Sequence, residues 1–158
     1  MSEPLELREV HDDDLPRFFR HQLDPEANRM AAFTAKNPSD REAFDRHWAK
    51  IRSDPAITIR TILARGEVAG NVASFERNGK LEVTYWLGRE FWGRGIATRA
   101  LSLFLELQTT RPIYGGVAKD NLGSLRVLQK CGFRICAEDK GYANARGEDV
   151  EEFLLRLD

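Results

Sequence analysis

The sequence predicts an α/β (α+β) domain built on a mixed, mostly antiparallel central sheet of about seven strands with four helices. Three observations carry this. Three β-type runs, Ile57 to Ala64, Val68 to Phe75 and Leu81 to Leu87, are separated only by Arg65-Gly66-Glu67 and by a turn containing Asn78-Gly79, the pattern of an antiparallel meander. After the third run, helical and strand-like periodicities alternate, so one strand pair is joined by a helical crossover and runs parallel. At 158 residues, with no repeat, low-complexity tract or linker-like stretch, the chain makes one domain, residues 1–158, large enough for a core that needs no disulfides.

The elements follow in order. Leu5, Leu7 and Val10 make a first short strand. Asp12 to Asp14 offer acceptors to helix N-terminal N–H groups, and Leu15, Phe18, Phe19 and Leu23 recur at helical spacing, giving helix one. Asp24 to Asp40 has little periodicity and reads as a loop or short helix beside a site, with Met30 to Phe33 available to line a pocket. Ser39-Asp40-Arg41-Glu42 has the form of a capping box and opens helix two, with Phe44, Trp48 and Ile51 on one stripe. The meander follows. Helix three begins after a glycine turn and buries Ala97, Leu101, Phe104 and Leu105 on one face. Pro112 to Ala118 is a strand parallel to Leu81–Leu87. Asn121 caps helix four, Leu125 and Leu128 point inward, and Gly132 supplies the left-handed residue that ends it. Two last strands, around Phe133 to Ala137 and Glu151 to Leu157, close the sheet as a hairpin with a long tip.

Bulk properties exclude several partners. Lys plus Arg total 24 against 25 for Asp plus Glu, so no net field favours nucleic acid or an anionic membrane. Nowhere do about 18 consecutive apolar residues occur, and Met1 to Val10 has acidic residues and no long apolar stretch, so a soluble, cytoplasmic protein is expected. The two cysteines, Cys131 and Cys136, have no histidine nearby and suit buried thiols better than a zinc site. His11, His21 and His47 show no metal-ligand spacing, so no metal is expected and packing or surface roles fit them best.

The chemistry starts at Trp92-Gly93-Arg94-Gly95-Ile96-Ala97-Thr98, between a strand and a helix. Two glycines around an arginine let successive backbone N–H groups converge, and the helix behind them adds the positive end of its dipole, so an anion docks there. The turn lacks the Lys and hydroxyl residue of a P-loop, and Thr98 stands where a dinucleotide fingerprint needs a third small residue. Its strand also belongs to a meander rather than to a parallel βαβ unit.

A second segment, Asn121-Leu122-Gly123-Ser124 through Gly132-Phe133, follows in order. Together the two resemble the GNAT superfamily of N-acetyltransferases, in particular the branch containing ribosomal-protein N-terminal acetyltransferases. The superfamily's loop, Gln/Arg-x-x-Gly-x-Gly/Ala, is matched by Gly95 and Ala97, with Trp92 at its first position. The resemblance covers Leu81 to Phe133. It implies the element order above, a splay between strands four and five, and acetyl-CoA as co-substrate. It also implies backbone contacts to pyrophosphate from Trp92, Gly93, Arg94, Gly95, Ile96, Ala97 and Thr98, with charge from Arg94 and Arg99. Backbone groups of Trp86, Leu87 and Gly88 would bond the pantetheine amides, and Asn121 would contact the cofactor arm or simply cap its helix.

Acetyl transfer to an amine needs a polarised carbonyl, a deprotonated amine and a neutralised thiolate. Glu82 is the expected general base, because a carboxylate on a mostly apolar central strand would have its pKa raised by partial burial; the alternative is a glutamate on the solvent face. Many superfamily members carry a tyrosine acid four residues before the Gly of Gly-Phe, where this chain has Leu128. The acid role then falls to Ser124, with Tyr142, in the expected hairpin loop, as a further candidate. The predicted function is transfer of acetyl from acetyl-CoA to a primary amine, a protein N-terminus or a small molecule, in a ternary complex of a monomer or homodimer. The alternative is a non-catalytic acyl-CoA sensor or interaction module, motivated by Leu128 and by Glu82. Members of the branch act on protein N-termini, antibiotics, polyamines and amino-acid-like metabolites, and no residue selects among them by sequence.

Overall fold

The computed structural model describes residues 3–158; Met1 and Ser2, included in the single-domain reading, lie outside the described residues. Seven strands form one sheet: β1 (Leu5–Arg8), β2 (Thr58–Ala64), β3 (Glu67–Arg77), β4 (Lys80–Leu87), β5 (Ile113–Ala118), β6 (Arg134–Ala143) and β7 (Glu148–Leu157). Their spatial order is β1-β2-β3-β4-β5-β7-β6. Only β4 and β5 run parallel, as the crossover requires, and the remaining neighbours are antiparallel.

Five α-helices, not four, pack on this sheet: α1 (Leu15–Gln22), α2 (Pro25–Ala31), α3 (Arg41–Ser53), α4 (Ile96–Leu107) and α5 (Leu122–Lys130). The added helix, α2, lies in the segment read as a loop or short helix. Its start has local causes: Asp24 accepts from the Glu26 amide and Pro25 occupies the first turn, where its missing N–H costs nothing. It stops at Ala32, whose φ of 65° breaks the helical path and whose fully buried methyl packs with Ala118 and Ala143. The capping-box reading is corrected by one residue. Asp40 rather than Ser39 caps α3, accepting from the Ala43 amide at 3.0 Å, while Ser39 bonds Asn37.

The helices divide between the two faces of the sheet. One core joins Ile96, Ala100, Leu101 and Phe104 of α4 and Leu128 of α5 to strand residues including Val72 and Val83. The expected inward face of α4 therefore shifts, since Ala97 and Leu105 are only half-buried. Burying a side chain such as Phe104 contributes about 1.5–3 kcal/mol. The second core sets Phe18 of α1 and Phe44 and Trp48 of α3 against Ile59 and Ala73. Leu128 approaches Gly115 of β5 so closely that a Cβ there would sit 2.9 Å from its methyl.

The last hairpin is longer in its strands and shorter at its tip than expected. Pairing runs from Arg134↔Arg156 to Ala143↔Glu148, leaving only residues 144–147 as the turn. The charged run Glu138-Asp139-Lys140 reads as loop, but in an edge strand those side chains can face water. Tyr142 is thereby on β6 and 60% exposed. Cys136 on the same strand is exposed as well, against the expectation of two buried thiols.

Candidate functional site

β4 and β5 share a single register pair, Glu82↔Tyr114, and diverge beyond it. This is the predicted splay, and it places Glu82 at the vertex of a V. A cavity of about 580 Å³ runs through the opening and is lined from both faces of the sheet. Strand alternation makes this possible: Val83, Tyr85 and Leu87 lie on the α4/α5 face, whereas Glu82, Thr84 and Trp86 lie on the other. Hence one cavity touches Ala97 and Ser124 on one side and Phe33 and Glu152 on the other.

The glycine turn forms one end. Gly93 and Gly95 both have φ of 74°, and a Cβ at either would meet nothing within 4 Å. Gly95 caps α4 without a side-chain partner. Among the described residues, no hydrogen bond engages the amides from Gly93 through Thr98. These donors face the start of a 12-residue helix whose dipole places about half a positive charge there. Side chains contribute less than the sequence suggests. Arg94 is ion-paired with Glu3, donates to Glu90 O at 3.3 Å and lies over the Phe91 ring at 5.5 Å. Ile96 is buried in the core, so only its backbone can face an anion. Arg99 is half-buried.

At the end of β4 the three expected backbone positions differ. The Gly88 amide donates to Ala69 O at 2.9 Å, and the Trp86 carbonyl oxygen sits against Gly70, where a Cβ would be 1.9 Å away. Both therefore engage β3. Antiparallel alternation then turns the N–H and C=O of Leu87 away from β3, toward the opening, where the Trp92 indole N–H donates to Leu87 O at 3.2 Å. Asn121 caps α5 through the Ser124 amide at 3.2 Å and also lines the cavity.

The two predicted catalytic residues each have a partner that sequence reading missed. Ser124 Oγ is 2.8 Å from the Tyr85 hydroxyl, whose pKa is pushed up by burial against the opposing effect of that hydrogen bond. Glu82 is buried, on the cavity rather than on the solvent face, and Arg77 of β3 forks onto both its oxygens at 2.9 and 2.9 Å. Tyr142, the further acid candidate, is on β6 and is not among the residues that line this cavity.

Glu152 of β7 is the residue sequence analysis did not single out. The pairing Ala118↔Glu152 puts it on the cavity side of β5, and its Oε2 would be 3.6 Å from a Cβ on Gly116. Burial raises its pKa; Arg77 opposes that shift, and Asp139 and Glu82 add to it. Met30 and Phe33, read as pocket residues, line this side with Phe75 and Trp86. The wall is tied together by Arg146 at the hairpin tip, which forks onto Asp120 at 2.7 and 2.9 Å and donates to Arg29 O of α2 at 2.6 Å. Arg89 holds the α2 cap from the other end, donating to Asp24 at 2.7 Å. The signal for Tyr85 was present in the alternation of β4, but nothing local marked Glu152.

Comparison with known proteins gives one family, described as the acetyltransferase (GNAT) domain, matched over residues 4–134. An uncharacterized N-acetyltransferase, p20 of Bacillus licheniformis, is 27% identical over 86 residues. That alignment spans 52% of this chain and 48% of the relative, about half its length. Among solved structures, RimJ of Mycobacterium smegmatis in complex with CoA-disulfide has a TM-score of 0.81 at 22% identity, covering 97% of this chain and 81% of that one. RimL, a ribosomal L7/L12 alpha-N-protein acetyltransferase in complex with coenzyme A, has a TM-score of 0.78 at 20% identity, covering 95% and 92%. At these identities the likeness is one of fold, the mixed sheet with its parallel β4/β5 pair.

Proposed function

The chain belongs to the GNAT acetyltransferase family, and from that premise we propose that it is a single-domain N-acetyltransferase that moves acetyl from acetyl-CoA to a primary amine within a ternary complex. The observation that carries this reading is the row of unpaired amides from Gly93 through Thr98, opening onto a cavity that passes between β4 and β5. A pyrophosphate satisfies those donors, and the divergence of the strands leaves room for an extended arm beside Leu87. Neither demand is met by a simple structural turn. Acetyl-CoA supplies an activated carbonyl and a thiolate leaving group.

On the chain's side, backbone N–H groups of residues 93–98 hold the phosphates, the Trp92 amide expected among them being committed to Arg89 O at 3.0 Å; Leu87 presents its backbone to the arm between Trp86 and Gly88, and Asn121 borders it. Arg94 adds charge when phosphate competes with Glu3. The paired hydroxyls of Ser124 and Tyr85 stand on the thiol side, and Ser124 donates to the departing sulfur. The carboxylates of Glu82 and Glu152 form the acceptor wall, where the amine loses its proton. Direct attack fits because, among the described residues, the cavity lining holds no cysteine and the Ser124 hydroxyl bonds the Tyr85 hydroxyl rather than a base that would make it a nucleophile.

Calorimetric titration with acetyl-CoA tests the first half of the reading, and binding no tighter than that of ATP or NAD overturns it. Thiol release across a panel of amines and N-terminal peptides tests the second half. Tight binding without release from any acceptor is the outcome that favours a non-catalytic acyl-CoA sensor.

A further inference from the structure

We propose that Glu152 is the catalytic base that takes the proton from the acceptor, and that the acceptor is a primary amine bearing an apolar substituent. The inference rests on the N-acetyltransferase reading above. It begins with the unequal circumstances of the two carboxylates. Glu82 accepts two charge-assisted hydrogen bonds from Arg77, one on each oxygen. Protonating it would break that fork and leave a guanidinium without its counter-charge. Glu152 has no hydrogen bond or ion pair among the described residues, although it is only half-exposed and borders the same cavity. Its lone pairs are therefore available to a ligand.

The charges complete the argument. Glu82, Glu152 and Arg77 sum to one negative charge at the cavity wall, which one ammonium neutralises. The groups facing Glu152 are Arg77 from β3, Glu82 from β4 and Asp139 from β6, the last exposed to solvent. From α2 and the residues just after it the neighbouring lining is uncharged, Met30 and Phe33, and aromatic surface continues through Phe75 and Trp86. A cation with an apolar body matches that lining; a polar one leaves it unfilled.

The proton balance is simple. Glu152 takes one proton from the ammonium and releases it to solvent. The neutral amine attacks the acetyl carbon, the C–N bond forms and the C–S bond breaks. The second amine proton is lost as the sulfur gains one from Ser124, whose hydroxyl is then restored. Free CoA and the amide leave.

The test uses the full chain with acetyl-CoA and 2-phenylethylamine, an ammonium throughout the working range. Thiol release is followed from pH 5.5 to 9 for the parent, Glu152→Gln and Glu82→Gln, with thermal melts to confirm folding and calorimetry to follow acetyl-CoA binding. The parent profile of kcat/KM should rise and level off below pH 8. Glu152→Gln should be at least about 100-fold slower at pH 7 and climb with unit slope to pH 9, because only amine that is already neutral reacts. Glu82→Gln should retain the plateau. A folded Glu152→Gln within threefold of the parent, with its plateau intact, overturns the assignment, as does loss of the plateau in Glu82→Gln alone. Ethylamine serving as well as phenylethylamine overturns the apolar acceptor. If neither amine releases thiol while acetyl-CoA still binds, the acceptor assignment fails; if acetyl-CoA binding is itself absent, the parent reading fails.

Discussion

Replacing Gly95 by alanine separates the structural from the binding role of the glycine turn. With φ at 74°, an L-residue there adopts the left-handed region at a cost of about 1–2 kcal/mol. For a domain of this size that lowers Tm by about 2–8 °C. Because a Cβ at Gly95 meets nothing within 4 Å, the strain is conformational rather than steric. Gly66, in the β2–β3 turn, supplies the control: its φ is 78° and its Cβ direction is equally open. Gly66→Ala and Gly95→Ala should therefore lose similar stability. Only Gly95→Ala should weaken acetyl-CoA, since the added methyl or the backbone shift that relieves it disturbs donors aimed at a charged group. Losing one such hydrogen bond costs about 1.5–3 kcal/mol, or about 10- to 150-fold in affinity. Parallel melts and calorimetric titrations measure both quantities. If Gly95→Ala melts early yet binds acetyl-CoA as tightly as Gly66→Ala, the turn is not the phosphate site and the argument from unpaired amides fails.

Ser124→Ala should slow turnover by less than about 100-fold, with acetyl-CoA affinity retained, because backbone dipoles also stabilise the thiolate; Tyr85→Phe should have a smaller effect on kcat in the same thiol-release assay. Burial pushes the Asp14 carboxyl up, but hydrogen bonds from Arg8, the His11 amide and Thr61, with the charge of Arg8, bring it down from 3.8 to about 2. That depression contributes stability above pH 4 and loses it as pH falls toward 2, about 2 kcal/mol in all, readable as a falling urea midpoint. Asp14→Asn should remove this pH dependence. Glu152 has the opposite sign: its raised pKa means that the ionised form at neutral pH opposes folding, so Glu152→Gln should melt no lower than the parent at pH 7 and lose any such advantage at pH 4.

What sequence alone determined is what depends on neighbours in the chain. Positive φ at Gly93, Gly95 and Gly132, the Asn121 cap and the meander turns each follow from a few adjacent residues, and with them came the glycine turn, the crossover and the parallel pair. Errors of one step also stayed local, as at Asp40, or arose where exposure hid the pattern, as in the charged edge strand that carries Tyr142. The cavity wall that carries Glu82 and Glu152 was decided elsewhere. Which face Glu82 takes depends on strand register, and its pairing with Arg77 on the β3–β4 ladder follows from that register. Glu152 reaches the cavity only because β7 inserts between β5 and β6 and aligns with Ala118, while Tyr85 meets Ser124 across 39 positions of chain. Backbone conformation is set by short-range sterics and hydrogen bonding, so a sequence displays it. The proximity of distant side chains is set by how the whole sheet and its helices bury their apolar surface together, and only the folded chain displays that.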